Sequence, residues 1–382
     1  MNTNSKFKDR QIEAIDLKVK ELLSITLFHF SFTSKELFHS NFISWLAYIN
    51  QVECAQLFGF TGAGPIQLKR ELNRKIGKLN VWADIAFVTA IDKKITPKLI
   101  IENKVKSIAE DGQLTNIRAA FKDANRFVLW SLFEPDKDSH NGWDLLTYKE
   151  FAEKLEASKF NFAATNTYHL NIIDEYVKIL NTLNDIIKLL PISGDYDFSK
   201  RSNPQLYSLL TQIKLWEIYQ RIASRKFLAQ VTAELSQRSV KQPLTKLSIN
   251  HSVATIDFYY SIDGYNIGIQ IEDNQYRKFL RGPNAQVVAP QMHEAGVWFD
   301  FLNPPRRGRI KNFGVFNMDK HGGGYFYYQY DTKGHFTINP EKGVQEMADT
   351  IKNDLDWILQ NETLIKSYVS DKKSKLNLQT NG

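Results

Sequence analysis

One cysteine, Cys54, is present in 382 residues. A disulfide framework and a cysteine-based zinc site within one chain are therefore excluded. The eight histidines show no metal-ligand spacing. A reducing, cytoplasmic setting is the expectation that follows. No run of 18 apolar residues occurs, so no membrane-spanning helix is expected. Residues 1–10 are polar and lack the apolar segment of a secretory leader, so none is expected. No internal repeat is visible.

What is present suits a folded protein with real cores. Hydrophobic residues make up 43% and charged residues 24%, and the length points to two domains. Aromatic residues, at 13%, favour well-filled sheets over disorder. The net charge is +7, and most of it is local. Residues 66–106 hold ten Lys or Arg against four acids, a net +6. A field of that kind attracts a phosphate backbone. Solvated lysines that protect strand edges would give the same count.

Apolar spacing organises the chain. Residues 11–30 have helical periodicity, and Ser34 suits the N-cap of a second helix over 35–50. In that helix Phe38, Phe42, Trp45, Leu46 and Ile49 recur at three- and four-residue steps. After a glycine-rich break at 59–65 the period changes to two. Strands are expected at 66–72, 81–90 and 98–105, with a hairpin turn at 91–97. A helix over 107–122, a strand covered on both faces at 126–133, a helix at 148–157 and a long helix at 168–190 follow. Residues 191–203, rich in Ser, Gly, Asp and Pro, mark a domain boundary. Beyond it lie a helical stretch (205–235), several strands within 245–335 and a last amphipathic helix over 340–360. Asp263-Gly264 between alternating runs is a hairpin signal.

The third strand carries the chemistry. In Leu99-Ile100-Ile101-Glu102-Asn103-Lys104-Val105 the side chains alternate, so Glu102 and Lys104 share a face. Opposite charges on an otherwise apolar strand are costly unless they pair or hold an ion. Asp84 lies inside the preceding apolar strand, within reach of Glu102 if the two strands pair. Two facing carboxylates repel each other, and a hard cation with oxygen ligands relieves this; magnesium fits, and manganese also. Lys104 is placed to position a water or to neutralise charge developing on a phosphoryl group. A buried ion pair without chemistry accounts for the same three residues equally well.

The order of the pieces resembles the PD-(D/E)XK nuclease superfamily, the restriction-endonuclease-like fold, in a bacterial branch with a characteristic N-terminal helix. Glu36-Leu37-Phe38-His39-Ser40 through Trp45-Leu46 is similar to that branch's E-x-x-H-S-x-x-L-x-W-L helix. Arg70-Glu71-Leu72, Asp84-Ile85 and Ile100-Ile101-Glu102-Asn103-Lys104 follow in order, then Gly112-Gln113-Leu114. The resemblance covers roughly residues 10–160. It implies Asp84, Glu102 and the Asn103 carbonyl as metal ligands and Lys104 as the catalytic lysine. Gln113 matches the start of a Q-x-x-x-Y motif, but Ile117 stands where Tyr is usual, and Ala83 replaces the Pro before the Asp. Glu36 is implied as a second-metal or water contact. A helix-start acid favoured by the macrodipole is its plain alternative, and a His buried against the sheet is that of His39. Glu71 reads as structural.

The C-terminal part is less specific. Tyr259, Tyr260, Tyr265 and residues 325–330 suit cross-strand packing more than base stacking. Residues 304–309 form a basic loop, and Gly322-Gly323-Gly324 lacks phosphate-loop spacing. Ile269-Gln270-Ile271-Glu272 echoes the catalytic strand, but Asn274 stands where Lys is needed.

The expectation is an α/β protein. Residues 1–190 form a restriction-endonuclease-like core, a mixed central sheet flanked by helices. Residues 204–368 form an α+β domain, and 369–382 a disordered tail. The expected activity is magnesium-dependent hydrolysis of nucleic acid, DNA above RNA. The alternative is a catalytically silent nucleic-acid-binding or partner-binding module.

Overall fold

A computed structural model describes residues 3–31, 35–62, 64–91, 94–105, 111–133, 142–163, 166–194, 198–200, 202–238, 241–250, 252–272, 275–283, 285–294, 312–317, 325–330 and 343–379. The chain divides into two compact units. The first comprises Met1–Pro191 and Gln205–Ile218, the second Ile192–Pro204 and Tyr219–Gly382. The chain passes from the first unit to the second after Pro191, at the start of the 191–203 boundary read from the sequence, and Ile192–Pro204 belongs to the second unit.

The first unit opens with helices α1 (Thr3–Ser24), α2 (Thr26–His29), α3 (Lys35–Ile49) and α4 (Gln51–Leu57). Strands β1 (Gln67–Ile76), β2 (Leu79–Ile91) and β3 (Lys94–Lys104) follow, then α5 (Asp111–Ala120), β4 (Arg126–Ser131), β5 (Asp144–Thr147), α6 (Tyr148–Ala163), α7 (Thr167–Leu189) and α8 (Pro204–Gln212). The sheet order is β1-β2-β3-β4-β5. The first three strands are antiparallel, and β3, β4 and β5 are parallel, so the sheet is mixed. The protein is α/β, as the periodicity implied. β5 has only four residues, too few to show an alternating pattern.

Each face of this sheet is covered. On one, Ala86, Val88 and Ile100 pack with Leu114, Ile117 and Phe121 from α5 and the residues just after it. On the other, Trp130 stacks on Tyr148 at 4.5 Å between ring centres and meets Phe58 and Phe151 edge-on or tilted. This explains why β4 reads as apolar on both sides. In α3, Phe38, Phe42, Ile43, Leu46 and Ala47 are buried, which is the expected helix face. The Ser34 cap lies outside the described residues.

The second unit contains most of α9 (Trp216–Arg238), then β6 (Leu244–Asn250), β7 (Val253–Ile262), β8 (Tyr265–Glu272), β9 (Gln275–Gly282), α10 (Ala285–Glu294), β10 (Asn312–Asn317), β11 (Tyr325–Tyr330), α11 (Gly343–Gln360) and α12 (Glu362–Gln379). Its sheet, ordered β10-β11-β9-β8-β7-β6, is antiparallel throughout. Asp263 and Gly264 join β7 to β8 with φ of 48° and 83°. Positive φ at both positions is the I′ geometry that the dipeptide signals. α12 continues to Gln379, through most of the stretch expected to be a tail. Among the described residues no helix is long and apolar enough to cross a membrane.

Candidate active site

The site begins where β2 and β3 part. Their pairing runs from Ile91↔Lys94 to Ile85↔Ile101 and then stops. One step further in the same register, Asp84 lies level with Glu102. There the Asp84 carboxylate takes the place of a ladder bond: the Asn103 N–H donates to Oδ2 at 2.8 Å.

The neighbouring strand is irregular at the same level. Glu71 lies between Arg70, opposite Ile85, and Leu72, opposite Ala83, so it is level with Asp84. Its φ is 50°. That left-handed conformation is uncommon for a residue with a Cβ and costs on the order of 1–3 kcal/mol. It also turns the strand over. Residues two apart normally share a face. Here Arg70 donates to Asn41 on α3, whereas Leu72 packs into the core on the α5 side. β2 slips with it, since Ala83 and Ala86, three apart, belong to that one core. Glu71, Asp84 and Glu102 thus form a row across three strands, at the point where two of them change facing.

Glu102 is 1% exposed. Its Oε1 accepts from Lys104 Nζ at 2.8 Å and from Gln113 Nε2 at 2.6 Å. Its Oε2 is buried and has no hydrogen-bond partner among the described residues. Burial, then the Asp84 charge beside it, push the carboxyl up to about 7, against the pull of Lys104. Burial also raises Asp84, opposed by the Asn103 N–H and Lys104 and aided by the charges of Glu36 and Glu71. For Lys104, 8% exposed, burial favours the neutral amine. Glu102, Asp84 and Glu36 together outweigh that and hold the ammonium above its usual range. Asp84, Glu102 and Glu36 thus act on one lysine, and Glu71 acts on Asp84.

The row is braced from the α3 side. Asn103 Nδ2 donates to the Glu36 carbonyl at 3.1 Å, and the Tyr148 hydroxyl donates to Asn103 Oδ1 at 2.6 Å. Burial keeps that phenol protonated by raising it well above its ordinary range. Asn103 thereby ties β3 to the start of α3 and to α6. His39 is buried, 2.8 Å from the Tyr176 hydroxyl, with its ring among Phe38, Trp130 and Tyr148. It belongs to the packing beneath the site.

The sequence-derived residues Asp84, Glu102, Asn103, Lys104 and Gln113 are thus brought together, with Glu36 beside them. Tyr148 was missed; a tyrosine at a helix start says nothing by itself about a strand 45 residues away. Glu71, read as structural or as a neighbour of the site rather than a ligand, lies in the carboxylate row. Among the described residues no group of three or more His, Cys, Asp or Glu is placed to hold a metal ion. The expected set contains only two such side chains, with the Asn103 carbonyl as third donor. A buried carboxylate oxygen without a donor suits an oxygen-preferring cation, and Glu102 Oε2 meets that description.

In the second unit, Gln270 and Glu272 serve a polar ladder. Gln270 donates to Asp257 and accepts from Arg277, which also grips both oxygens of Glu272 at 2.8 Å. The rejection of a second catalytic centre there rested on Asn274, which lies outside the described residues. So do residues 304–309 and 322–324. Comparisons with protein-family models, curated proteins and solved structures returned no match to this chain.

Proposed function

We propose that the first unit is a restriction-endonuclease-like core that hydrolyses phosphodiester bonds in nucleic acid, DNA in preference to RNA, with magnesium or manganese. The observation that carries this reading is the state of Glu102. It is buried, raised in pKa, level with a second carboxylate, and left with one oxygen that no described residue satisfies. Such an arrangement is unfavourable for the fold alone, and strained, desolvated titratable clusters concentrate at functional sites. The resemblance of the E-x-x-H-S helix and the D…E-x-K strands supports the same conclusion.

Asp84, Glu102 and the Asn103 carbonyl would hold the cation. When bound, it would polarise a phosphoryl oxygen and lower the pKa of water. Lys104 places a fixed positive charge two residues beyond Glu102, where negative charge builds on a phosphoryl group in the transition state. Gln113 holds Glu102 through Oε1, so Oε2 would remain available to a cation. Tyr148 and Asn103 keep β3 in position against α3. The basic segment 66–106 supplies the field that draws a polyanion to the sheet.

A second reading has its own observation. The Lys104–Glu102 pair is already closed at 2.8 Å, as it would be in a silent binding module. Incubation of plasmid DNA and of RNA with magnesium or manganese, with and without EDTA, separates the two. Metal-dependent cleavage that Glu102→Gln abolishes is the expected result. Absence of cleavage on both polymers would put the binding module first.

A further inference from the structure

A groove opens off the carboxylate row between α3 and β1. It encloses about 660 Å³, and its lining includes Tyr48, Gln51, Gln67, Lys69, Arg70 and Glu71. That volume lies within the range of roughly 300–1,000 Å³ typical of small-molecule sites. Glu71 lines the groove and its charge acts on Asp84, so the groove ends beside the carboxylate row.

The lining has the chemistry of nucleotide recognition. Tyr48 is 87% exposed, with its ring standing open at the groove. A single exposed aromatic is ordinary; one that lines a cavity with a lysine, an arginine and two carboxamides is a stacking surface among phosphate and base-edge donors. Arg70 is held by Asn41 rather than by an acid, so its charge is not cancelled by that bond.

A second aromatic stands beyond the row. Trp82 is 56% exposed and lies two residues along β2 from Asp84, about 7 Å at strand spacing. Its neighbours Val81 and Ala83 pack into the core on the α5 side, so the indole faces the α3 side, as Arg70 does. Tyr48 and Trp82 therefore lie on the α3 side of the sheet, whereas Glu102, bonded to Gln113 of α5, points to the other side at the end where β2 and β3 part.

We infer that this face binds a nucleic-acid strand with unpaired bases, one base stacked on Tyr48 in the groove and another on Trp82, with the backbone between them crossing the open end of the sheet where β2 and β3 part. The substrate class is single-stranded or locally unpaired nucleic acid. In a duplex those bases are stacked on their neighbours and reach a side chain only after unpairing, which costs a few kcal/mol. The inference rests on the nuclease reading for calling that strand a substrate but not for the binding itself.

The test is fluorescence anisotropy of a labelled DNA 12-mer, single-stranded or annealed to its complement, with the full chain in calcium. The parent protein should bind the single strand more tightly than the duplex. Tyr48→Ala should weaken single-strand binding about fivefold to a hundredfold, the span of one stacked base by alanine substitution, and Trp82→Ala similarly. Tyr48→Phe, which keeps the ring, should recover most of the loss. Both variants replace exposed residues, so their melting curves serve as the check on folding. Equal affinity of parent and both alanine variants would overturn the inference, as would duplex binding at least as tight as single-strand binding. A parent that cleaves in magnesium while Tyr48 and Trp82 are indifferent keeps the nuclease reading and loses this one. Tyr48-dependent binding without any cleavage does the reverse.

Discussion

If Glu102 holds its proton up to about pH 7, a cation that binds there must displace that proton. At pH 6 about one-tenth of the groups are ionised and at pH 8 about nine-tenths. Metal affinity should therefore rise roughly tenfold between the two, with most of the change below pH 7. The stability of the metal-free protein should move the other way. A carboxyl whose folded value lies above its ordinary 4.5 stabilises the fold below that pH. It withdraws the contribution as pH climbs to about 7, and Asp84, raised for the same reason, adds in the same direction. Thermal unfolding in EDTA and in excess calcium at pH 6 and pH 8 measures both. Calcium should raise the melting temperature more at pH 8, by about 3–6 °C, the equivalent of a tenfold affinity difference for a unit of this size. Glu102→Gln should abolish the pH dependence of the calcium shift. Equal shifts at the two pH values in the parent protein would sink the reasoning, because burial and Asp84 would then not be holding a proton on Glu102.

Three further outcomes follow from particular contacts. Lys104→Ala should slow cleavage by on the order of a hundredfold, the scale of removing one preorganised electrostatic group. Affinity for nucleic acid in calcium should change little, because one phosphate contact among many supplies a small share of binding; gel-based cleavage and anisotropy report the two quantities. Tyr148→Phe removes the O–H that Asn103 Oδ1 accepts and should cost about 1–3 kcal/mol in urea unfolding. An unchanged midpoint would mean that the clamp on β3 is dispensable. In the second unit Lys278, 0% exposed, is paired with Asp354 at 2.9 Å, and the Tyr276 hydroxyl binds the other Asp354 oxygen. Asp354→Ala should destabilise by about 3–5 kcal/mol by removing the carboxylate paired with a buried ammonium, and Lys278→Met in that background should recover much of the loss. Failure of the second change to recover stability would assign the effect to Tyr276 instead.

The parts of the site that could be read from the sequence are those in which a residue conflicts with its own surroundings. Glu102, Lys104 and Asp84 are charges inside apolar alternation, and alternation alone places Glu102 and Lys104 on one face. Gln113 and Glu36 needed a resemblance, because a polar residue near a helix start is unremarkable locally. Tyr148, Tyr48 and the left-handed Glu71 were out of reach. The first acts through a bond to a strand 45 residues earlier, the second gains meaning only from β1 lying across from it, and the third is a backbone state that carries no residue-type signal when the residue is not glycine. In the same way β5 was too short to see, whereas the Asp263-Gly264 turn, whose geometry is chosen by its own two residues, was legible.

The route of the chain between the two units bears on how this protein could be taken apart. The polypeptide leaves the first unit at Pro191, spends residues 192–204 in the second, returns for 205–218 and leaves again. Leu206, Leu210, Ile213 and Leu215, all buried, belong to that return. A gene fragment ending at residue 190, the cut that composition suggests, would therefore omit core side chains of the very unit it was meant to isolate. One ending after residue 218 would retain them but carry a segment whose own packing partners had been deleted. Neither half is a transferable cassette, and recombination at a single crossover would not exchange the second unit for another. Swapping its partner domain would require three coordinated junctions, at 191/192, 204/205 and 218/219, so the pairing of this core with this companion should persist as one inherited block.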